Sequence, residues 1–234
     1  MTEKLYENDS YLQTFTATVL ACTPAPGGYA VVLDRTAFYP EGGGQPCDTG
    51  RLGDAAVRAV HTDGETVLHT TDAPLPVGGT VEGSIDWPAR LDAMQQHTGE
   101  HILSGALHRL YGAENVGFHI GSPWVRMDTS IPLTAAQLAE AEAEANAAVR
   151  ADTPVRCYLP APAELARTEY RSKKALEGPV RLVEAGGDRC ACCGTHLART
   201  GEVGLIKILS FQHYKGGMRL AVACGQRACE AIAA

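Results

Sequence analysis

Residues 85–112, IDWPARLDAMQQHTGEHILSGALHRLYG, mark a change of period in the chain. Leu91, Met94, Thr98, Ile102, Ala106 and Leu110 recur at spacings of three and four, the signature of one face of an α-helix. Asp86 stands as its first cap, Pro88 falls in its first turn, and Gly112 stops it. On such a helix His97 and His101 leave the same face one turn apart, with Glu100 just before the second. Two readings are open here: a pair of metal ligands, or two solvated histidines on a polar stripe. Both residues lie on or beside the apolar stripe, which favours at least partial burial, and buried imidazoles need partners, of which a metal is one.

Working back from residue 85, the chain has short β-branched runs with turn residues between them. They are TFTATVLAC, YAVVLD, AAVRAVH, ETVLHTT and GTVEGSI. This composition predicts a small β-barrel-like domain over residues 1–84. Working forward, VGFHIGSPWVRMDTSI reads as strand and turn. A second helix opens at Thr134 with Gln137 three residues on, a capping box, and Leu133 and Leu138 as its hydrophobic staple. That alanine-rich helix ends before Pro154. VRCYL, VRLVE, VGLIKILSF and MRLAVAC supply strands, the last two joined as a hairpin through HYKGG. Residues 85–234 are therefore expected to form an α+β domain, and the whole chain is of the α+β class. No repeat of 20 to 50 residues interrupts this plan.

Composition narrows the function. A chain of 234 residues, 45% apolar and 20% charged, is an ordinary globular protein. It contains no long apolar run and no basic, apolar leader, which predicts a cytoplasmic location. Eight cysteines in that setting read as thiols and possible ligands rather than disulfides. The net charge of −7 argues against a general polyanion binder, but the charge is segregated. Residues 1–84 carry 4 Lys/Arg against 11 Asp/Glu, whereas 150–227 carry 13 against 7. The cluster Arg167, Arg171, Lys173, Lys174 and Arg181, with Lys207 and Lys215 further on, is a candidate surface for a phosphate backbone.

A second ligand pair lies in GGDRCACCGTHLARTGEVG, where Cys192 and His196 are again four apart. Thiolate and imidazole both suit zinc, and two such pairs from distant elements can complete one tetrahedral site. Cys190 and Cys193 compete with Cys192 for that role on spacing alone. The loop FYPEGGGQPCDTG offers Gly42, Gly43 and Gly44 for close backbone approach, with Gln45 as donor and acceptor. It reads either as the wall of a binding pocket or as a plain turn between strands.

HTGEH, CCGTH followed by TGEVG, and FYPEGGGQPCDTG together resemble the AlaX-type alanyl-tRNA editing proteins, relatives of the editing domain of alanyl-tRNA synthetase. The resemblance extends over nearly the whole chain, including VRLVE and CGQRA, and is to the medium-length form. It implies one zinc per chain, held by His97, His101, Cys192 and His196. It also implies an editing domain over residues 85–234 that hydrolyses mischarged tRNA(Ala) in trans, chiefly Ser-tRNA(Ala) and also Gly-tRNA(Ala). The partner is the tRNA acceptor end carrying a wrong amino acid. Catalysis falls to His97, His101 and Glu100, substrate contacts to Gly42, Gly43, Gly44, Gln45 and Thr195, and tRNA contacts to Arg171, Lys173, Lys174, Lys207 and Lys215. Relatives often have CGGTH where this chain has CCGTH, so Cys193 stands in place of a glycine.

The chemistry suits these residues. Attack of water on an aminoacyl ester needs a positioned nucleophile and help for charge developing on the carbonyl oxygen, and zinc can supply both. An apolar pocket rejects an added hydroxyl poorly, so recognising serine requires a polar one. Two other functions compete. HTGEH also fits the HxxEH zinc-peptidase pattern, with Glu100 as general base, which would leave the CCGTH pair unexplained. A non-catalytic zinc module that binds tRNA is the other.

Overall fold

The computed structural model describes residues 1–172 and 178–234. It divides into two compact units, Met1–Ala93 and Met94–Ala234. The first begins with β1 (Glu3–Lys4) and a single turn, α1 (Leu5–Asn8). It continues through β2 (Thr14–Ala25), β3 (Gly28–Leu33), β4 (Arg35–Thr36), β5 (Gly50–Leu52), β6 (Ala55–Asp63), β7 (Thr66–Thr71) and β8 (Thr80–Ile85). Strands β2, β3, β7, β6, β5 and β8 pair in that order, and β8 pairs back to β2, so the sheet closes into a barrel. Alternation sends Phe15, Ala17 and Val19 of β2 inward, where they meet Val31, Leu33, Phe38, Leu52, Val57, Val60 and Val67. Gly83 makes room for that filling, since a Cβ there would lie 2.3 Å from the Phe15 ring. The closing strand, β5, has only three residues, too few for periodicity to reveal it.

The sequence places the domain boundary at residue 85, whereas the first compact unit extends to Ala93. The reason is Arg90. It is fully buried, and its guanidinium forks onto the Asp48 carboxylate while donating to the Ser10 and Ala37 carbonyls. A buried charge needs this degree of pairing. The first turns of the helix therefore belong with the strands before them.

That helix is α2 (Trp87–Tyr111), which begins in the first unit and continues in the second. The Gly112 amide donates to the His108 carbonyl at 2.8 Å, with Gly112 in the left-handed region that ends helices. The second unit continues with β9 (Asn115–Ile120), β10 (Val125–Thr129), α3 (Ala135–Arg150), β11 (Arg156–Tyr158) and α4 (Pro162–Leu165). After these come β12 (Leu182–Ala185), β13 (Asp188–Ala191), β14 (Ile206–Tyr214), β15 (Gly217–Cys224) and α5 (Gln226–Ala233). One antiparallel sheet has the order β14-β15-β10-β9 and another the order β11-β12-β13. Helix α3 has the expected reciprocal cap between Thr134 and Gln137. The β14–β15 hairpin turns through Lys215 and Gly216, both at positive φ, as a two-residue turn of the I′ kind requires.

The stripe expected on α2 is too narrow a description. Residues 96–107 are buried without interruption, polar ones included, while of the stripe residues Leu91 is partly exposed and Leu110 reaches solvent. Gly99 and Gly105 permit this enclosure. A Cβ on Gly99 would lie 2.3 Å from the Cys224 sulfur, and one on Gly105 would lie 2.5 Å from the Asp188 Cβ. Gln96 fits its surroundings by bonding the backbone amide and carbonyl of Cys224 at 2.8 and 2.9 Å. Among the described residues no helix is long and apolar enough to cross a membrane.

In the first unit, His69 is buried with Nδ1 3.2 Å from the Val31 carbonyl and Nε2 2.8 Å from the Thr36 hydroxyl. A carbonyl only accepts, so Nδ1 carries the proton and Thr36 donates to Nε2. Burial pushes the imidazole pKa down to about 4. The unfolded chain, titrating near 6.5, then takes up this proton first. Stability from this residue is therefore present above pH 6.5 and lost as pH falls towards 4. The expected loss at pH 5 is about 2 kcal/mol. Urea unfolding at pH 7 and pH 5 should show a smaller drop in stability for His69→Gln than for the unaltered chain.

Candidate metal centre

Helix α2 and the turn after β13 bring His97, His101, Cys192 and His196 together, with one ligand atom from each lying within 4.8 Å of the others. The Cys192 sulfur is 3.4 Å from Nε2 of His97 and 3.4 Å from Nε2 of His196. The three imidazoles stand edge-on or tilted to one another, with centroids 4.5 to 5.1 Å apart. All three histidines are buried, which removes the reading of solvated histidines on a polar stripe. Phe118 of β9 stacks on His97 at 5.0 Å between centroids.

The Cys192 and His196 donors are held by bonds to the turn around them. Nδ1 of His196 lies 3.2 Å from the Thr98 hydroxyl, which also accepts from the Leu197 amide at 3.1 Å. With its hydroxyl oxygen accepting from Leu197, Thr98 ties the end of the CCGTH turn to α2. The turn itself is shaped by Arg181, buried although it lies in the basic stretch of the sequence. Its Nη1 donates to the Cys192 carbonyl at 3.0 Å and the Gly194 carbonyl at 2.9 Å, and the Cys192 amide donates to the Arg181 carbonyl at 3.1 Å. The Gly194 amide points at the Cys192 sulfur at 3.3 Å. In the sequence Thr98 falls in an apolar stripe and Arg181 in a basic patch. Only the adjacency of VRLVE to the cysteines hinted at the second.

The electrostatics suit a cation. Burial pushes the Cys192 thiol up to about 12, against smaller opposing effects of the Gly194 amide and Arg181. Burial, and then the charges His97, His101 and Arg181 would present, hold His196 well below the ordinary imidazole range. The imidazole is thus neutral, and the thiol stays protonated until a metal displaces its proton. Three buried imidazoles and one thiol form a borderline-soft donor set that fits zinc chemistry.

The remaining candidates are distributed as follows. Cys193 is exposed and stands apart from the cluster, whereas Cys192 belongs to it and the Cys190 sulfur lies 2.9 Å from Nδ1 of His101. All eight cysteines are free. Glu100 is buried and accepts from the Asn115 side-chain amide on β9. Thr195 is completely buried. In the first unit, residues 42–45 form a tight turn in which the Gly42 amide donates to the Gln45 carbonyl at 3.1 Å and the reverse bond is 2.9 Å. Gly43 and Gly44 both have positive φ there, Gly43 is exposed, and Gln45, read as a substrate-facing donor, is buried.

Lys173 and Lys174 lie outside the described residues. Arg171 is used inside the protein. Its Nε and Nη2 fork onto Asp188 at 2.8 and 2.6 Å, and Nη2 reaches the Ser104 hydroxyl at 2.9 Å. Although burial alone would lower it, the Asp188 carboxylate holds its pKa above the usual guanidinium range. Lys207 pairs with Glu142 at 2.7 Å. Lys215 is exposed at the hairpin tip, 5.2 Å over the Tyr214 ring.

The fold and this donor set define a protein with a closed barrel and an α+β unit enclosing a centre of three histidines and one cysteine. Two family models match it, Threonyl and Alanyl tRNA synthetase second additional domain over residues 180–220 and tRNA synthetases class II (A) over residues 13–89. It is 33% identical to the Alanyl-tRNA editing protein Aarsd1 of Mus musculus over 229 residues, 90% of this chain and 56% of that protein. It is 40% identical to the Alanine--tRNA ligase of Thermofilum pendens over 252 residues, 99% of this chain and 27% of the ligase. To the Alanine--tRNA ligase of Pyrobaculum neutrophilum it is 38% identical, with 93% and 26% covered. Over nearly its whole length the chain is thus similar both to alanyl-tRNA editing proteins and to part of the alanine–tRNA ligases. It spans about half the length of the editing proteins it matches and about a quarter of the ligases.

Metal analysis of the purified protein should find about one ion per chain, and Cys192→Ala or His101→Ala should lose it. Full retention in both variants would show that the ligands lie elsewhere.

Proposed function

We propose that this chain deacylates mischarged tRNA(Ala), chiefly Ser-tRNA(Ala) and also Gly-tRNA(Ala), using one zinc ion held by His97, His101, Cys192 and His196. The observation that carries the reading is the buried convergence of two ligand pairs in a chain whose relatives are named for alanyl-tRNA editing or alanine ligation. Residues 1–84 contribute the glycine-rich motif and residues 85–234 the editing domain. The protein acts in the cytoplasm, where charged tRNA is used. When bound, zinc supplies Lewis acidity towards the ester carbonyl and makes water a better nucleophile at neutral pH.

The chain's own residues then have distinct tasks. Thr98 and Arg181 keep the CCGTH turn in the shape that presents Cys192 and His196. The Asn115 amide fixes the Glu100 carboxylate, which favours a role in ordering the site over one as a mobile proton carrier. Thr195 of the second unit and, separately, Gly42, Gly43, Gly44 and Gln45 of the first are the candidate substrate contacts, polar groups of the kind that recognition of a serine hydroxyl requires. Lys215, with Lys173, Lys174 and Lys207, meets the phosphates of the acceptor end, and Arg171 supports the site from within. A peptidase reading would need Glu100 as general base for zinc-activated water, and a binding module would need no turnover.

Seryl-tRNA deacylation and casein digestion, run side by side, separate these functions. Release of serine with casein intact supports the deacylase. Digestion of casein, or tRNA binding without turnover, would overturn it. Glu100→Gln should keep its metal and lose no more than about tenfold in single-turnover deacylation, the scale of an outer-shell partner. A thousandfold loss with metal intact would make Glu100 the general base.

The exposed hairpin lysine has a separate test. Lys215→Glu should weaken tRNA binding and flatten its salt dependence without changing metal content, because each phosphate contact releases counterions. An unchanged salt slope would place the tRNA elsewhere.

A further inference from the structure

We infer that Cys190 is a positioning residue for His101, holding its Nδ1 so that Nε2 faces the metal centre. This rests on the reading of His97, His101, Cys192 and His196 as metal ligands. The Cys190 sulfur lies 2.9 Å from Nδ1 of His101 and 3.9 Å from Nε2. It therefore meets the ring on its δ side, whereas Cys192 meets two other imidazoles at their ε nitrogens. The two thiols, two apart around the end of β13, divide the work: one joins the ligand cluster and the other stands behind one of its members.

The arrangement has a counterpart on the neighbouring ligand. Nδ1 of His196 is held by the Thr98 hydroxyl at 3.2 Å, leaving its Nε2 turned to Cys192. An imidazole that carries its proton on Nδ1 has its lone pair on Nε2, so a δ-side acceptor selects the ligating tautomer and fixes the ring plane. A thiol sulfur can serve as that acceptor.

The protein also holds Cys190 in place from its other side. Asp188, two residues before it, receives the fork of Arg171, and the same guanidinium reaches Ser104, three residues beyond His101. The Arg171 amide donates to the Arg189 carbonyl and the Ala191 amide donates to the Arg171 carbonyl, each at 2.9 Å, so the chain at Arg171 runs beside β13 at Cys190. Gly105 lets β13 approach the helix closely enough for the contact. Arg171 thereby stabilises the strand that carries the sulfur.

Cobalt(II) titration distinguishes a positioning thiol from a ligating one, because only a bound thiolate gives the thiolate-to-cobalt charge-transfer band. Affinity is read by chelator competition in the unaltered chain, Cys190→Ala and Cys190→Ser. Cys190→Ala should weaken cobalt and zinc binding by about tenfold or more with the band intact, and Cys190→Ser should recover most of that affinity. Loss of band intensity in either variant would make Cys190 a ligand and overturn the assignment, as would unchanged affinity in Cys190→Ala. If Cys190→Ala does not fold, Cys190→Ser decides: near-normal affinity with an intact band supports the role, and a diminished band overturns it. Failure of the unaltered chain to take up cobalt would overturn the metal reading itself, and this assignment with it.

Discussion

A helix with no wet face over residues 96–107 imposes the main constraint on the second unit. Every polar side chain there must find a partner inside the protein, because an unpaired buried donor or acceptor costs about 1–3 kcal/mol. Gln96 meets the backbone at Cys224, Thr98 meets His196 and Leu197, Glu100 meets Asn115, and Ser104 meets Arg171. These partners come from β15, the CCGTH turn, β9 and the segment beside β13. The polar demands of α2 thus specify which elements surround it, something apolar packing alone would leave far less determined. His97 and His101 are the members of this set whose needs converge on one point.

The second pair of this cluster is held in shape by bonds within the protein. A turn that carries a cysteine and a histidine four residues apart has many shapes, and Arg181 selects one by bridging two of its carbonyls. Burial opposes protonation of His196, and charge on His97, His101 and Arg181 acts in the same direction. The imidazole therefore needs no proton removed before it can ligate, whereas the Cys192 thiol does. A metal bound here would have to displace the Cys192 proton.

Helix ends and ligand spacings were legible in the sequence because they are local. The Thr134–Gln137 box, the Gly112 stop and the hairpin at Lys215–Gly216 each need only a few adjacent residues, and all three are present. The pairs His97/His101 and Cys192/His196 were legible for the same reason, though their meeting is a tertiary fact. What escaped was set by distant partners. Strand β5 is three residues held by neighbours on both sides, and β13 lies in a cysteine-rich run to which the sequence assigns no strand. The sequence displayed the charges of Arg171 and Arg181 but not Asp188 or the turn carbonyls that use them.

The fate of those arginines changes the meaning of the basic C-terminal half. Arg189 pairs with Glu184, Arg199 with Asp152, Lys207 with Glu142 and Arg219 with Asp128. Arg171 and Arg181 are used in supporting the elements around the His97, His101, Cys192 and His196 cluster. The excess of 13 cations over 7 acids in residues 150–227 thus overstates the positive charge available to a polyanion. With a net charge of −7 on the whole chain, long-range attraction to a nucleic acid is weak. Under the proposed function, recognition of a charged tRNA end by such a surface would have to come from close contacts at a few positions, resting on shape and hydrogen bonding near the site more than on the field of the protein.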